Sequence, residues 1–286
     1  MLKWKLMLST LPIVLAMAAV KLMLDVVFQF KGLVPFADVG VILTACVFLI
    51  GFLLAGTMAD YKESERLPAE IATTLEAIEE IFALASTNRP GLSLPVLRRG
   101  VLDLTDSIKA WLVQRDTDVY AALSRMGAMI GWLESEGAGP YASRAIPQLM
   151  TVRRNVSRID VIARTGFLPP AYALLEVLVV MVIGLMLVAE FSSRLVESVI
   201  VPFVTLVNIY MLRLIRDIDN PFEYSPDGKQ DGRAEVELWP IDEYRARLAA
   251  RVVAHAEAPA ARPAGSEPGA APSFSASLVT RDIVER

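Results

Sequence analysis

Along the chain, four stretches keep an apolar character for the width of a bilayer, and the rest alternates between apolar and charged positions. A hydrocarbon core of about 30 Å requires roughly 20 helical residues. Residues 6–30 reach that length with Lys21 and Asp25 inside the run, and residues 39–58 reach it without a single charge. Residues 170–191 and 195–214 follow after a long polar insertion, and the three residues Ser192, Ser193 and Arg194 between them predict an antiparallel helical pair. The expected fold is therefore an all-α integral membrane protein with four transmembrane helices and a helical region inserted between the second and third.

The insertion carries helical rather than strand periodicity. Pro68 is placed to start a helix in which Leu75, Ile78 and Phe82 share one face while Glu76, Glu79 and Glu80 face away. That helix is predicted to stop near Asn88, Arg89, Pro90 and Gly91, with further helices over 94–114, 117–136 and 141–164. Beyond the fourth apolar run, Ile241, Tyr244, Leu248 and Val252 mark an amphipathic helix with Arg245, Arg247 and Arg251 on its polar side. From Glu257 the chain is rich in Ala, Pro, Gly and Ser and is expected to be disordered. The boundaries that follow are 1–59 for the first two spans, 60–165 for the helical insertion, 166–216 for the last two spans, 217–256 for a docking segment with its helix, and 257–286 for the tail.

Basic residues orient this arrangement. Lys3, Lys5, Lys62, Arg66, the arginines of 153–164, Arg213 and Arg216 fall on one side of a four-span chain, against Lys31 and Arg194 on the other. Both termini and the insertion are thus expected to be cytoplasmic. The apolar run after Lys3 and Lys5 continues past its small residues Ala16, Ala18 and Ala19, which suits a retained helix better than a cleaved signal. The sequon Asn155-Val156-Ser157 lies on the cytoplasmic side and is read as accidental.

Composition agrees with that class: 54% of residues are hydrophobic, 21% are charged and mean hydropathy is +0.47. The formal net charge of −4 and the lack of a basic block interleaved with aromatics argue against nucleic acid as a partner. No phosphate loop, nucleophile elbow or metal-ligand cluster stands out, and the single histidine, His255, borders the tail. Neither an enzyme nor a cofactor or metal site is expected. The single cysteine, Cys46, reads as a small buried hydrophobe.

Ionisable residues inside apolar runs need partners, because each costs about 2.5–3.5 kcal/mol at a helix centre. Lys21 and Asp25, four residues apart, share a helix face and suit either a mutual pair near the outer interface or a cation placed beside a pore entrance. Glu176 calls for a Lys or Arg from a neighbouring helix, or for cytoplasmic water, and Glu190, Arg194 and Glu197 read as an interfacial charge cluster. In the second span, Gly51 and Ala55 form a small-xxx-small pair that admits a close helix neighbour, with Phe48 and Phe52 beside that face. Pro202 and Asn208 mark a kink and a hydrogen-bonding site in the fourth. That run ends in Arg213, Arg216, Asp217, Asp219, Asn220, Pro221 and Phe222. The arginines suit a helix C-terminus, Pro221 disfavours helix at Asn220, and Phe222 is free to insert into a neighbouring layer while Asp217 and Asp219 accept hydrogen bonds.

Two stretches carry a family resemblance. FLIGFLLAGTMADYKESERLPAE (48–70) resembles the point where the second helix enters the cytoplasm in bacterial bestrophin-like membrane proteins, a family largely without assigned function. LIRDIDNPFEY (214–224) resembles that family's D-x-D-x-P-F segment after the last helix, and is similar to the N-P-F-G-acidic segment of true bestrophins, the pentameric anion channels. The two cover about a tenth of the chain. Glu223 replaces the glycine of N-P-F-G, and the dense acidic run that forms the calcium clasp of animal bestrophins is absent, which removes the basis for calcium gating.

The resemblance implies a homo-oligomer, pentameric by analogy, in the bacterial inner membrane. It further implies small anions passing through an axis lined by the second helix, with Phe48 and Phe52 as candidates for an apolar constriction. A second reading is a non-conducting scaffold that holds a partner through its cytoplasmic helices and basic amphipathic tail. A proton-conducting, stator-like protein shares the four-span pattern and has no motif in its favour.

Overall fold

In the computed structural model, the described residues are 4–29, 32–115, 117–165, 169–224 and 234–257, so the tail expected to be disordered lies outside them from residue 258 onward. The elements are α1 (Lys5–Val26), β1 (Val34–Pro35), α2 (Phe36–Asn88), α3 (Leu94–Gln114), α4 (Val119–Ser135), α5 (Gly139–Arg164), α6 (Pro169–Val188), β2 (Ala189–Glu190), α7 (Arg194–Asp219) and α8 (Trp239–Glu257). The described residues are all-α apart from one parallel contact of two residues on each side, between β1 and β2. Helices α1, α2, α6 and α7 are long and apolar enough to cross a membrane, and the protein is an integral membrane protein in contact with lipid.

Local sequence sets the element ends. Asp118 caps α4 by accepting from the Ala121 amide at 3.0 Å, and Ser193 caps α7 by accepting from the Val196 amide at 3.3 Å. Gly137, at φ +78°, closes α4 through the Ala138 amide, which donates to Leu133 O at 2.9 Å. At the β1–β2 contact a side chain on Gly32 would meet Glu190 Cα at 2.7 Å, so only glycine fits where the two segments touch.

Pro68 does not start a helix, contrary to the sequence expectation. It lies inside α2, which runs unbroken for 53 residues, roughly 80 Å at 1.5 Å per residue. A proline inside a helix forfeits one backbone hydrogen bond and costs about 3 kcal/mol in an exposed helix. Here Pro68 is buried between Leu67 and Ile71, and the packing of that turn holds the helix together.

Two hydrophobic cores share α2. In one, Ile71, Leu75, Ile78 and Phe82 meet α3, α4, α5 and α8; in the other, Cys46, Ile50 and Leu53 meet Leu175, Val179 and Val182 of α6 and Val201 and Val204 of α7. Helix α1 packs along α7. The amphipathic reading of α8 holds: Ile241, Tyr244, Leu248 and Val252 are all buried.

A second expectation fails at Glu79. It was placed on the polar face and is 1% exposed, because α3 and α8 pack over it and each supplies an arginine: Arg98 donates at 2.7 Å and Arg251 at 2.6 Å. Arg251 and Arg247 also reach Glu76, at 3.1 Å each. Asn155, the sequon residue, is buried with its amide nitrogen 3.5 Å from Glu70 Oε2, a position closed to any glycan.

Removing one partner of a buried ion pair strands the other charges and costs about 3–5 kcal/mol. Glu79→Ala is therefore expected to lower stability by about 3 kcal/mol, read as a lower melting temperature of the detergent-solubilised protein. Arg66→Ala, whose side chain is exposed, is expected to change it by less than about 1 kcal/mol.

Arg158 forks Glu63 at 2.8 and 2.6 Å, joining α5 to α2. Those hydrogen bonds hold the Glu63 carboxyl below the usual carboxylate range, against a weaker push from desolvation. The folded pKa is depressed, so the stabilisation is complete above the ordinary glutamate value and is lost as pH falls through the lowered one. Both side chains are partly exposed, which limits the effect to under about 1 kcal/mol. Acid titration of the melting temperature is expected to lose that increment in Glu63→Gln.

Candidate functional site

The apolar half of α2 has two unlike faces. Cys46, Ile50, Leu53 and Thr57 are buried against α6 and α7. On the other face Phe48 is 77% and Phe52 56% exposed, one turn apart, with Gly51 and Ala55 exposed beside them. Gly51 has open space within 4 Å of where a Cβ would stand. Among the described residues no helix takes the place that Gly51 and Ala55 would admit, because α6 and α7 occupy the opposite face.

The same face continues past the apolar half. Phe48, Phe52, Ala55, Ala59, Lys62 and Arg66 follow one another at intervals of three and four residues, and all six are exposed. Two large aromatics and, further along, two cations thus share a single stripe on an unbroken helix. Sequence reasoning read Lys62 and Arg66 only as orientation signals, because ending the second span at residue 58 cut them off from Phe48 and Phe52. The three-four spacing from Phe48 to Arg66 was the signal available for it.

Lys21 is 4% exposed and does not snorkel to the interface. Its ammonium donates to Glu197 at 2.7 Å, to Asp25 at 3.4 Å and to Leu187 O at 3.1 Å, with the Phe191 ring 5.8 Å away. The mutual pair with Asp25 is present, and Glu197 adds a second carboxylate that joins α1 to α7. Arg216 pairs with Glu176, linking the ends of α7 and α6. Arg213 donates to the Ser9 hydroxyl at 2.8 Å. The Cys46 thiol lies 3.2 Å from Asn208 Oδ1 in the buried centre of the α2–α7 contact.

After α7 the chain turns at Asn220, and Phe222 enters the core formed by the helical insertion and α8 with 3% of its surface exposed. Pro221 O accepts from the Val236 amide at 2.9 Å, and Tyr224 donates its hydroxyl to Val236 O at 2.8 Å. Asp217 accepts from the Ala234 amide at 3.3 Å, and Asp219 lies beside Tyr172. Burial pushes the Tyr224 phenol well above its usual range. Beside this corner a cavity of about 800 Å³ is lined by Trp111, Arg115, Asp160, Arg164 and Glu223 among others, its two cations matched by two carboxylates. Among the described residues no cluster of metal-ligating side chains is present.

The path of the chain recurs in solved structures. A bacterial bestrophin homologue from Klebsiella pneumoniae superposes with a TM-score of 0.71 at 12% identity, over 84% of this chain and 97% of that one. Two point variants of a Klebsiella pneumoniae homologue match with TM-scores of 0.70 and 0.72 at 13% identity, covering 84% and 87% of this chain and 97% and 98% of theirs. This chain has the bestrophin fold. No family model and no curated protein matches the sequence, so the bestrophin likeness lies in the path of the chain and in the two short stretches around α2 and the α7 corner. Within the bestrophin fold, the α7 corner joins the two cores. Phe222→Ala is expected to cost about 3 kcal/mol and to expose the linker after α7 to limited proteolysis, with the cleavage pattern and melting temperature as readouts.

Proposed function

We propose that the protein is one subunit of a homo-oligomeric, bestrophin-like channel for small anions, lined by the exposed face of α2. The observation that carries this reading is the stripe from Phe48 and Phe52 to Lys62 and Arg66 on one continuous helix. Lipid alone would satisfy exposed phenyl rings on a membrane helix, but here the same stripe runs on into Lys62 and Arg66, which favours a watered axis, and Gly51 and Ala55 leave room for symmetry-related copies to approach. Rotation of copies about an axis beside α2 is enough to bring the phenyl rings together. Resemblance to the pentameric bestrophins favours five copies.

In this reading 1–59 and 166–216 form the membrane layer of the bacterial inner membrane, and both termini, the insertion 60–165 and the segment 217–256 face the cytoplasm. Phe48 and Phe52 make the apolar constriction, and Lys62 and Arg66 stand at its cytoplasmic mouth. No residue is assigned a catalytic role.

The scaffold alternative needs a free basic surface on α8. Its arginines are engaged within the chain: Arg245 with Asp106, Arg247 with Glu243 and Glu76, and Arg251 with Glu76 and Glu79. That occupancy favours the channel.

Purified oligomers in liposomes are expected to pass chloride, and Phe48→Ala with Phe52→Ala to raise the flux by roughly tenfold, about 1.4 kcal/mol off the barrier. Lys62→Glu with Arg66→Glu is expected to lower the preference for chloride over potassium. Intact oligomers that conduct in neither form would exclude the channel.

A further inference from the structure

Two adjoining cavities of about 450 and about 510 Å³ lie between the end of α1 and the start of α7, sharing Lys21, Asp25, Val26, Arg194 and Glu197. One limb is walled by Ala18, Leu22, Val26, Leu195, Val201 and Pro202, all small or apolar. The other limb is polar and adds Gln29 and Glu190. Both helices are candidate membrane spans, so the apolar limb opens along the flank of a membrane helix pair and the polar limb lies at its end.

The charges in this cleft do not balance. Asp25, Glu190 and Glu197 set three carboxylates against the two cations Lys21 and Arg194. Lys21 has no donor left for a ligand, since an ammonium has three and they go to Glu197, Asp25 and Leu187 O. Arg194 is exposed and forms no ion pair among the described residues. What remains is one free guanidinium on the rim and carboxylate lone pairs in a recess whose walls limit hydration.

We propose that this cleft binds a phospholipid with a primary-amine headgroup. The lipid phosphate sits on Arg194, its ammonium takes up the carboxylate excess around Asp25, Glu190 and Glu197, and an acyl chain follows the apolar limb past Leu22 and Leu195. A primary ammonium offers N–H donors that these carboxylates accept. A quaternary choline offers none, and a glycerol headgroup brings no cation to offset the recess. The proposal rests on the membrane placement of α1 and α7 and is independent of conduction.

The test is native mass spectrometry of the full-length protein in detergent with equal amounts of phosphatidylethanolamine, phosphatidylcholine and phosphatidylglycerol. Phosphatidylethanolamine is expected to be retained about tenfold over each of the others, the ratio of roughly one charge-assisted hydrogen bond. Arg194→Gln is expected to reduce its retention by a similar factor, and Ser198→Trp, which fills the apolar limb, to reduce it with the headgroup residues intact. Unchanged lipid-free melting temperatures in both variants establish that they fold. Equal retention of the ethanolamine and choline lipids, preference for the glycerol lipid, or full retention in both variants would each overturn the proposal, as would displacement by an equal concentration of soluble phosphoethanolamine. Flux plays no part in the readout, so a silent channel leaves the result intact.

Discussion

Everything in this molecule hangs on α2 belonging to two cores at once. Its apolar half packs on α6 and α7, and its polar half packs on α3, α5 and α8 without an intervening loop. A single helix of 53 residues transmits displacement along its axis far better than two helices joined by a turn would. The continuity of α2 past residue 58, where the apolar run ends, fixes the rotational phase between Phe52 and Lys62, so that the aromatic and basic positions share one stripe. Had the helix broken where the apolar run ends, the aromatic and basic positions would have been free to choose different faces.

The internal charges set what is left for the surface. Burying an ion costs several kcal/mol unless it is paired and its remaining donors or acceptors are met. Glu79 meets that demand with arginines from α3 and α8, and Lys21 with carboxylates from α1 and α7. The pairs from Glu79 to Arg98 and Arg251 and from Lys21 to Glu197 join different helices, and each removes a charge from encounters with solutes. Lys62 and Arg194 are exposed without an ion pair among the described residues, and Arg66 pairs only at the surface, with Glu70 at 3.4 Å.

Periodicity made the four apolar helices, the stop at Asn88, the span of α3 and the buried face of α8 legible, since each is set by its own residues. The N-P-F corner was legible as a helix end because Pro221 acts locally on Asn220. What could not be read was the outcome of competition between local and tertiary forces. Pro68 is a helix starter by propensity, yet buried packing on both sides carries the helix through it. Glu79 belongs to a polar stripe until two other helices bring arginines over it, and nothing in the neighbouring sequence announces them. For Glu176 the sequence left open a Lys or Arg from a neighbouring helix or cytoplasmic water, and its pairing with Arg216 depended on how α6 and α7 align. At the candidate site, Phe48 and Phe52 were named from resemblance and spacing, but the shared face with Lys62 and Arg66 required the continuous helix.

Distance decides how those cations can act in the proposed channel. Lys62 is ten residues and Arg66 fourteen from Phe52, roughly 15 and 21 Å along a helix. At physiological ionic strength, charges in water are screened over about 8 Å. The cations therefore have little direct hold on an ion at the phenyl rings. Their field raises the local concentration of anions at the mouth, and a ring repeated in every subunit multiplies it. Discrimination at the constriction falls to a different force, the cost of stripping water from an ion where the wall offers no donors. Large, weakly hydrated anions lose least there, so the same helix divides the work: one segment gathers by charge, and the other sorts by dehydration.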